Sequence, residues 1–428
     1  MILKNSAILA FFSIISLLLG IFRDRILAQV VGVGPMLDVY NAAFRIPDLV
    51  YGLLIAAVSA ITVVPFITKA AREEDEQELA AKFNSLFFFF GFSLVAIALV
   101  AAALLPFITP FVVPGFDEFQ RRYFIIASAI LLIQPLFLGL SALVSSLAQV
   151  KHRFILYSVA PLAYTAVIIA SIPLLYPRFG VIGIVSGVIV GAMLNFLIQS
   201  YTLYEARMKI SLSMFRWEHV MSHMMVAIPR SLSTVVSRIR DIVFVSVATS
   251  LGIGVLSVYL FAQRIVDAFV QVVVQSAATA TLPLLAHKHA DGEHESYGRI
   301  LKVNLISIFT ISAVAALFIV FFKDTVVSIL YGNVSRADEI AEMAKFFAYT
   351  LPVYALNIYF VTAFAASKDT MGLFYANAIA SSVGVAVLFF SRSAGYGMFS
   401  LVISSWVLSI TFLLLLVAFY SRKKRLVR

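Results

Sequence analysis

The sequence predicts an all-α polytopic membrane protein made of two six-helix lobes, related by a pseudo-twofold axis along the membrane normal. Three observations predict it. The first is composition: of 428 residues, 62% are hydrophobic and only 13% charged, with a mean hydropathy of +1.00. A soluble domain is roughly half apolar and about a quarter charged, so this much apolar surface needs a bilayer as its solvent. The second is the length of the apolar runs, since a helix crosses the hydrocarbon core in about 20 residues. The third is an internal repeat at an offset of 217 to 220 residues.

Twelve apolar runs follow one another along the chain. In the first half they cover 6–31, 36–68, 80–109, 122–149, 153–176 and 180–205. In the second half they cover 220–249, 254–286, 299–322, 338–366, 371–391 and 397–421. The first run is read as a retained span, because no small-residue cleavage site precedes its charged "RDR". Pro47, Pro135 and Pro352 fall inside runs and predict kinks, which membrane helices tolerate when neighbours satisfy the freed carbonyls. Lys69, Arg72, Lys151, Arg207, Lys288 and Lys368 lie in loops on one side, together with the tail "SRKKRLVR". The opposite loops carry fewer basic residues, among them Arg121, Arg178, Lys323 and Arg392. The basic side faces the cytoplasm, so both termini are expected inside. The net charge of +10 fits cytoplasmic loops facing anionic lipid. No basic-aromatic module for nucleic acid is present, and nucleic acid is not expected as a partner.

The repeat sets the domain boundary. Arg23-Asp24 recurs as Arg240-Asp241, and "VYNAAFRI" (39–46) recurs as "VYLFAQRI" (258–265), which matches Arg45 with Arg264. Asn84 answers Asn304, Pro135 answers Pro352, Lys151 answers Lys368, and Gly180 answers Gly397. Six crossings return the chain to the same side, so the halves 1–215 and 216–428 run in the same sense.

Charge inside the spans locates the candidate site. A charged residue at depth faces a cavity or a partner, because facing lipid costs several kcal/mol. The N-terminal lobe places Arg23 and Arg45 there, and the C-terminal lobe places Arg264, Arg230, Arg238 and Arg240. Asp24, Asp38 and Asp241 are expected to hold these guanidinium groups around a water-filled central cavity. A planar guanidinium donates two parallel hydrogen bonds to a phosphate, so an anionic substrate is expected.

The stretch "GIFRDRILAQVVGVGPMLDVYNAAFRIPDL", with "VVPFIT", "IPRSLS" and "FAQRIVDAFVQ" downstream, resembles the MurJ/MviN family. That family belongs to the multidrug/oligosaccharidyl-lipid/polysaccharide exporter (MOP) superfamily, so the resemblance implies a two-lobed, MATE-like bundle. It also implies a flippase that carries lipid II, a polyprenyl-diphosphate-linked peptidoglycan precursor, to the outer leaflet of the bacterial cytoplasmic membrane by alternating access. Lipid II, membrane lipids and cell-wall synthesis proteins are the partners this implies. Arg23, Asp24, Asp38, Arg45 and Arg264 fall on motif positions. The chain departs from the pattern at three places. The family's Ser-Arg is Ser16-Leu17, its Arg-Arg is Tyr51-Gly52, and a nearby Glu is Ala56. Two further C-terminal helices of many members have no counterpart in these twelve spans.

Other signals are weaker. No phosphate-binding G-x-x-x-x-G-K-[ST] loop occurs, and no nucleophile-base arrangement suggests an enzyme. No cofactor is expected; energy would come from the substrate gradient, the membrane potential or coupling to Na⁺ or H⁺. Asp241 and Asn377 are the candidates for an ion site, with pairing of Asp241 to Arg238 or Arg240 as the simpler reading. "HKHADGEHES" (287–296) and "REEDEQE" (72–78) read as solvated segments rather than metal sites. Gly32-x-Gly34 and Gly252-x-Gly254 read as turns. Three other functional readings stand beside the lipid II flippase: a flippase for another undecaprenyl-linked oligosaccharide, an ion-coupled exporter of small molecules, and a non-transporting scaffold.

Overall fold

The computed structural model describes residues 2–58, 63–68, 75–151, 154–291, 293–366 and 370–426. Lys69, Arg72 and Lys368, used above for orientation, lie outside the described residues, as do residues 72–74 of the acidic segment. Every one of the predicted runs overlaps a helix. Eight helices among the described residues are long and apolar enough to cross a membrane. Their outer faces are apolar: Phe111 is 77% exposed and Phe390 73%. Such rings in contact with water would be a large liability, and against lipid tails they are the expected surface.

The residues divide into two compact units, Met1–Ile242 and Val243–Arg428. The first begins with α1 (Ile2–Val30), α2 (Pro35–Ala43) and α3 (Arg45–Val58). It continues with α4 (Glu76–Val112), α5 (Glu118–Leu131), α6 (Gln134–Val150) and α7 (Phe154–Glu205). Two of the proline positions are helix starts. Pro47 sits in the first turn of α3, and Pro135 is the second residue of α6. A missing N–H costs nothing there. Pro352 lies instead within an unbroken helix. Helix α4 is capped by Asp75, whose side chain accepts from the Glu78 amide at 2.9 Å. Helix α5 has a reciprocal capping box between Asp117 and Gln120.

Helix α7 holds two predicted runs as a hairpin that reverses at Gly180, with φ 57° and ψ −146°. Side chains rarely adopt that backbone, so glycine is required. Its repeat partner Gly397 also has positive φ, at 53°. The limbs of the hairpin lie close because Gly183, Gly187 and Gly191 fall on one face. A Cβ at Gly187 would meet Ser171 Cβ at 2.2 Å, and one at Gly191 would meet the Tyr164 carbonyl at 2.9 Å. Small residues at a spacing of four allow such close backbone approach in lipid.

Helix α8 (Trp217–Ser250) begins after a linker closed by a short turn at Leu212–Met214. The repeat divides the chain at 215/216, whereas the contacts keep α8 as far as Ile242 with the first unit. The reason is local packing: the Arg216 amide donates to Ser85 Oγ at 2.8 Å, and Phe66 meets the His223 ring edge-on at 5.1 Å. Asn84 organises the linker. Its Nδ2 donates to the Lys209 carbonyl at 2.9 Å, and its Oδ1 accepts from the Ser211 amide at 2.8 Å. Replacing Asn84 by Leu strands both linker groups, at about 1–3 kcal/mol for each group left without a partner. We expect a lower thermal unfolding midpoint for Asn84→Leu in detergent, with Ser213→Ala unchanged, since Ser213 lies on the exposed linker.

The second unit contains α9 (Val255–Phe269), a π-helical turn at Val270–Val274, α10 (Gln275–Ala290), α11 (His294–Phe321) and α12 (Lys323–Tyr331). It ends with α13 (Ala337–Ala366), α14 (Thr370–Ser393) and α15 (Phe399–Leu426). Helix α13 runs through its centre, with Tyr359 fully buried. Asn357 Nδ2 ties it to the Ser409 carbonyl of α15 at 2.8 Å. Ser404 Oγ donates to the Gly384 carbonyl at 2.6 Å and draws α15 onto α14.

Candidate functional site

In the first unit, charged and phenolic side chains from α1, α2, α3, α7 and α8 form two adjoining clusters. Helix α1 supplies Arg23 and Asp24. The Nε and Nη2 of Arg23 both donate to Asp24 Oδ1, at 3.0 and 2.9 Å. Tyr40 of α2 and Tyr164 of α7 lie within electrostatic range of the same guanidinium. The Tyr164 hydroxyl in turn accepts from Gln134 Nε2 of α6 at 2.9 Å. Arg23 is thus held in place while its side chain stays 28% exposed. Asp38 is enclosed in the first turn of α2, at 1% exposure.

The second cluster joins α3 to α8. Arg45 begins α3 and stands one turn from Asp48. Arg45, Arg238 and Asp241 all act on the Asp48 carboxylate. On α8, Arg240 Nη2 donates to Asp241 Oδ1 at 3.0 Å, and Arg238 Nη1 lies 3.9 Å from Asp241 Oδ2. The Arg240-Asp241 pair repeats the geometry of Arg23-Asp24. Three guanidinium groups here stand against two carboxyl groups, so positive charge is in excess. Arg45 Nε is buried and has no hydrogen-bond partner among the described residues.

Gly52 explains how α8 reaches α3. A Cβ at Gly52 would stand 3.0 Å from Arg238 Cγ and 3.8 Å from its Nε. Arg238 therefore lies flat against α3, at the position where the resembled motif carries an arginine of its own. Here α8, not α3, brings a guanidinium to this place. This gives a direct test. Arg238→Ala should reduce transport, and adding Gly52→Arg to it should recover most of the loss. Gly52→Arg alone should impair, because two guanidinium stems compete for one space. Failure of the double variant to exceed Arg238→Ala would refute the exchange.

The remaining sequence-predicted residues are placed as follows. The Arg230 side chain lies outside the described residues. Arg264 lies on α9 of the second unit, its guanidinium 5.6 Å from the Phe261 ring centroid. That ring is stacked on Tyr331 at 4.5 Å, and the Tyr331 hydroxyl donates to the Phe261 carbonyl at 2.8 Å. Arg264 thus has a rigid aromatic support. Asn377, on α14, accepts from Ser381 Oγ at 3.3 Å. Asp241 is engaged by Arg238 and Arg240, as the simpler of the two sequence readings has it. Sequence reasoning passed over Asp48, Tyr164 and Gln134. For Asp48 the signal was present in "RIPDL", where the resembled motif has Asn. For Tyr164 and Gln134 no local signal exists, because only packing brings them to Arg23.

Comparison with known proteins bears on this geometry. The family described as "Lipid II flippase MurJ" matches residues 27–427. The lipid II flippase MurJ of Burkholderia cenocepacia is 22% identical over 356 residues, covering 81% of this chain and 68% of that protein. Among solved structures, a lipid II flippase MurJ in an inward closed conformation superposes with a TM-score of 0.80 at 17% identity, over 97% of this chain and 87% of the other. An inward-facing MATE transporter of the MOP superfamily superposes with a TM-score of 0.74 at 18% identity, over 97% and 99%. The two structures establish the MATE-like fold. With the family match running over nearly its whole length, this chain belongs to the lipid II flippase MurJ family.

Proposed function

We infer that this chain is a flippase that moves a polyprenyl-diphosphate-linked glycan, lipid II, from the inner to the outer leaflet of a bacterial cytoplasmic membrane. The observation that carries the reading is the positive cluster of Arg45, Arg238 and Arg240 where α3 meets α8, packed among apolar helices, with Asp241 holding Arg238 and Arg240. A diphosphate is the complementary ligand: guanidinium forks match its oxygens, and the half-buried setting strengthens each bond. Arg23 joins this role beside Asp24. Arg264 takes it in the second unit on the strength of its aromatic support, and Arg230 on its position in the sequence.

Translocation makes and breaks no covalent bond. It needs two conformations whose stabilities the bound substrate or an ion shifts. We propose Na⁺ or H⁺ as the coupling ion. The engagement of Asp241 by two arginines favours a positioning role for that carboxylate over cation binding. We also propose that both termini face the cytoplasm and that cell-wall synthesis proteins supply and receive the substrate.

Complementation tests the function. Expression in a strain depleted of its own lipid II flippase should restore growth and outer-leaflet lipid II. The departures at Leu17 and Tyr51-Gly52 favour a second reading, a flippase for another undecaprenyl-linked oligosaccharide. Failure to complement, together with flipping of that oligosaccharide in proteoliposomes, would establish the second reading. Flipping of neither would overturn both.

A further inference from the structure

On the N-terminal side of Arg23 along α1, the first unit has an open cavity of about 310 Å³. That is near the lower end of small-molecule pockets, roughly 300–1,000 Å³. Its polar wall comes from Tyr51 of α3, Ser141 and Ser145 of α6, and Asn195 and Gln199 of α7, with Ser16 of α1. Phe12, Leu138 and Pro161 supply apolar surface. No charged side chain is among the described residues that line it. The wall offers hydrogen bonds and an aromatic face but no counter-charge, which suits a neutral, hydroxyl-rich ligand best.

Two observations show that the wall is built to receive hydrogen bonds. Asn195 and Gln199 are one helical turn apart, and Asn195 is fixed by the Ser141 hydroxyl, which donates to its Oδ1. Gln199 is only 3% exposed, and its Oε1 has no hydrogen-bond partner among the described residues. A buried carbonyl oxygen in that state costs free energy until a donor arrives. Tyr51 adds a flat aromatic face with a polar tip. The same Tyr51 lies within electrostatic range of Arg238 and Asp48, so the cavity adjoins the α3–α8 cluster.

We propose that this cavity is a subsite for a neutral pyranose, namely the sugar bonded directly to the substrate diphosphate. The proposal rests on the flippase reading above. Hydroxyl or N-acetyl N–H groups of the sugar donate to Gln199 Oε1, its apolar face lies on Tyr51 or Pro161, and the diphosphate reaches the neighbouring guanidinium groups.

The test measures binding of two probes to the full chain in detergent: undecaprenyl diphosphate, and the same lipid bearing one N-acetylhexosamine. The wild type is expected to favour the glycosylated lipid by about tenfold, the gain of roughly one good hydrogen bond. Gln199→Met keeps the volume and removes the unpartnered oxygen, so the fold is preserved. It should erase most of that preference while leaving binding of the bare diphosphate within about twofold. Equal binding of both lipids by the wild type would show a merely hydrated cavity and overturn the inference, with the flippase reading intact. An unchanged preference in Gln199→Met, or parallel loss of both ligands, would also overturn it. Free methyl N-acetylglucosaminide that binds while the lipid-linked sugar brings no gain would remove the subsite from the substrate path. Binding of neither lipid would overturn the flippase reading and this inference with it.

Discussion

Replacing Arg45 by Ala is expected to lower glycolipid flipping by at least about 100-fold, with little change in the amount of protein in the membrane. The magnitude follows from two charge-assisted hydrogen bonds to the diphosphate, at about 1.5–3 kcal/mol each, where about 1.4 kcal/mol is a factor of ten. Arg45 Nε is buried and without a hydrogen-bond partner among the described residues, so the protein is not using that N–H to hold itself together. Asp48 keeps Arg238 as a counter-charge when Arg45 is removed, so folding should survive. Arg45→Lys should recover little, because an ammonium is a point charge without the planar fork. The same comparison applies to Arg264→Ala in the second unit. Membrane abundance and flipping in proteoliposomes, measured on the same preparations, separate binding from stability. Normal flipping by both alanine variants would defeat the proposed site. Lost abundance with full activity per molecule would assign the arginines to structure.

The second large effect is on assembly. Gly187→Leu is expected to abolish accumulation of the protein in the membrane. A Cβ alone at this position would stand 2.2 Å from Ser171 Cβ and 2.3 Å from its Oγ. Overpacking by single methylenes costs about 1–3 kcal/mol, and leucine adds a branched side chain beyond that clash. The two limbs of α7 would have to part, and Gly183 and Gly191 would lose their contacts with Leu175 and Tyr164. Tyr164 lies beside Arg23, so the damage would reach the charged cluster. The milder Gly187→Ala should be rescued by Ser171→Gly, since the next atom beyond the Ser171 side chain is Cα at 3.7 Å. Fluorescence-detected size exclusion of tagged protein would read both results. Wild-type levels of Gly187→Leu would refute the close-packed hairpin.

Much of the architecture was legible because hydropathy and repeat symmetry are properties of the chain itself. The spans were read from their apolar length, and each overlaps a helix, although runs 36–68 and 122–149 are each broken into shorter helices. The match of Gly180 with Gly397 was read from the repeat, and their shared positive φ, which lets the chain reverse between two consecutive runs, appears only in the structure. The pairing of Arg23 with Asp24 and of Arg240 with Asp241 was legible because adjacent residues need no fold to meet. Pro47 and Pro135 were read as kinks and prove to start helices, since a proline is cheapest where its missing N–H has no acceptor to serve.

The sequence by itself determined that this chain is built of long apolar helices suited to a bilayer, and that Arg23 stands beside Asp24 and Arg240 beside Asp241. These features follow from residue type and spacing along one dimension. Only the tertiary structure decided which side chains meet across helices. It laid Arg238 of α8 against Gly52, where α3 lacks the motif's arginine, and it set Asp48 among the arginines. It also gathered Tyr51, Ser141, Asn195 and Gln199 around one uncharged cavity. No periodicity encodes those meetings. They depend on how closely helices approach, and that distance is set by where glycine and serine stand opposite one another in the packed bundle.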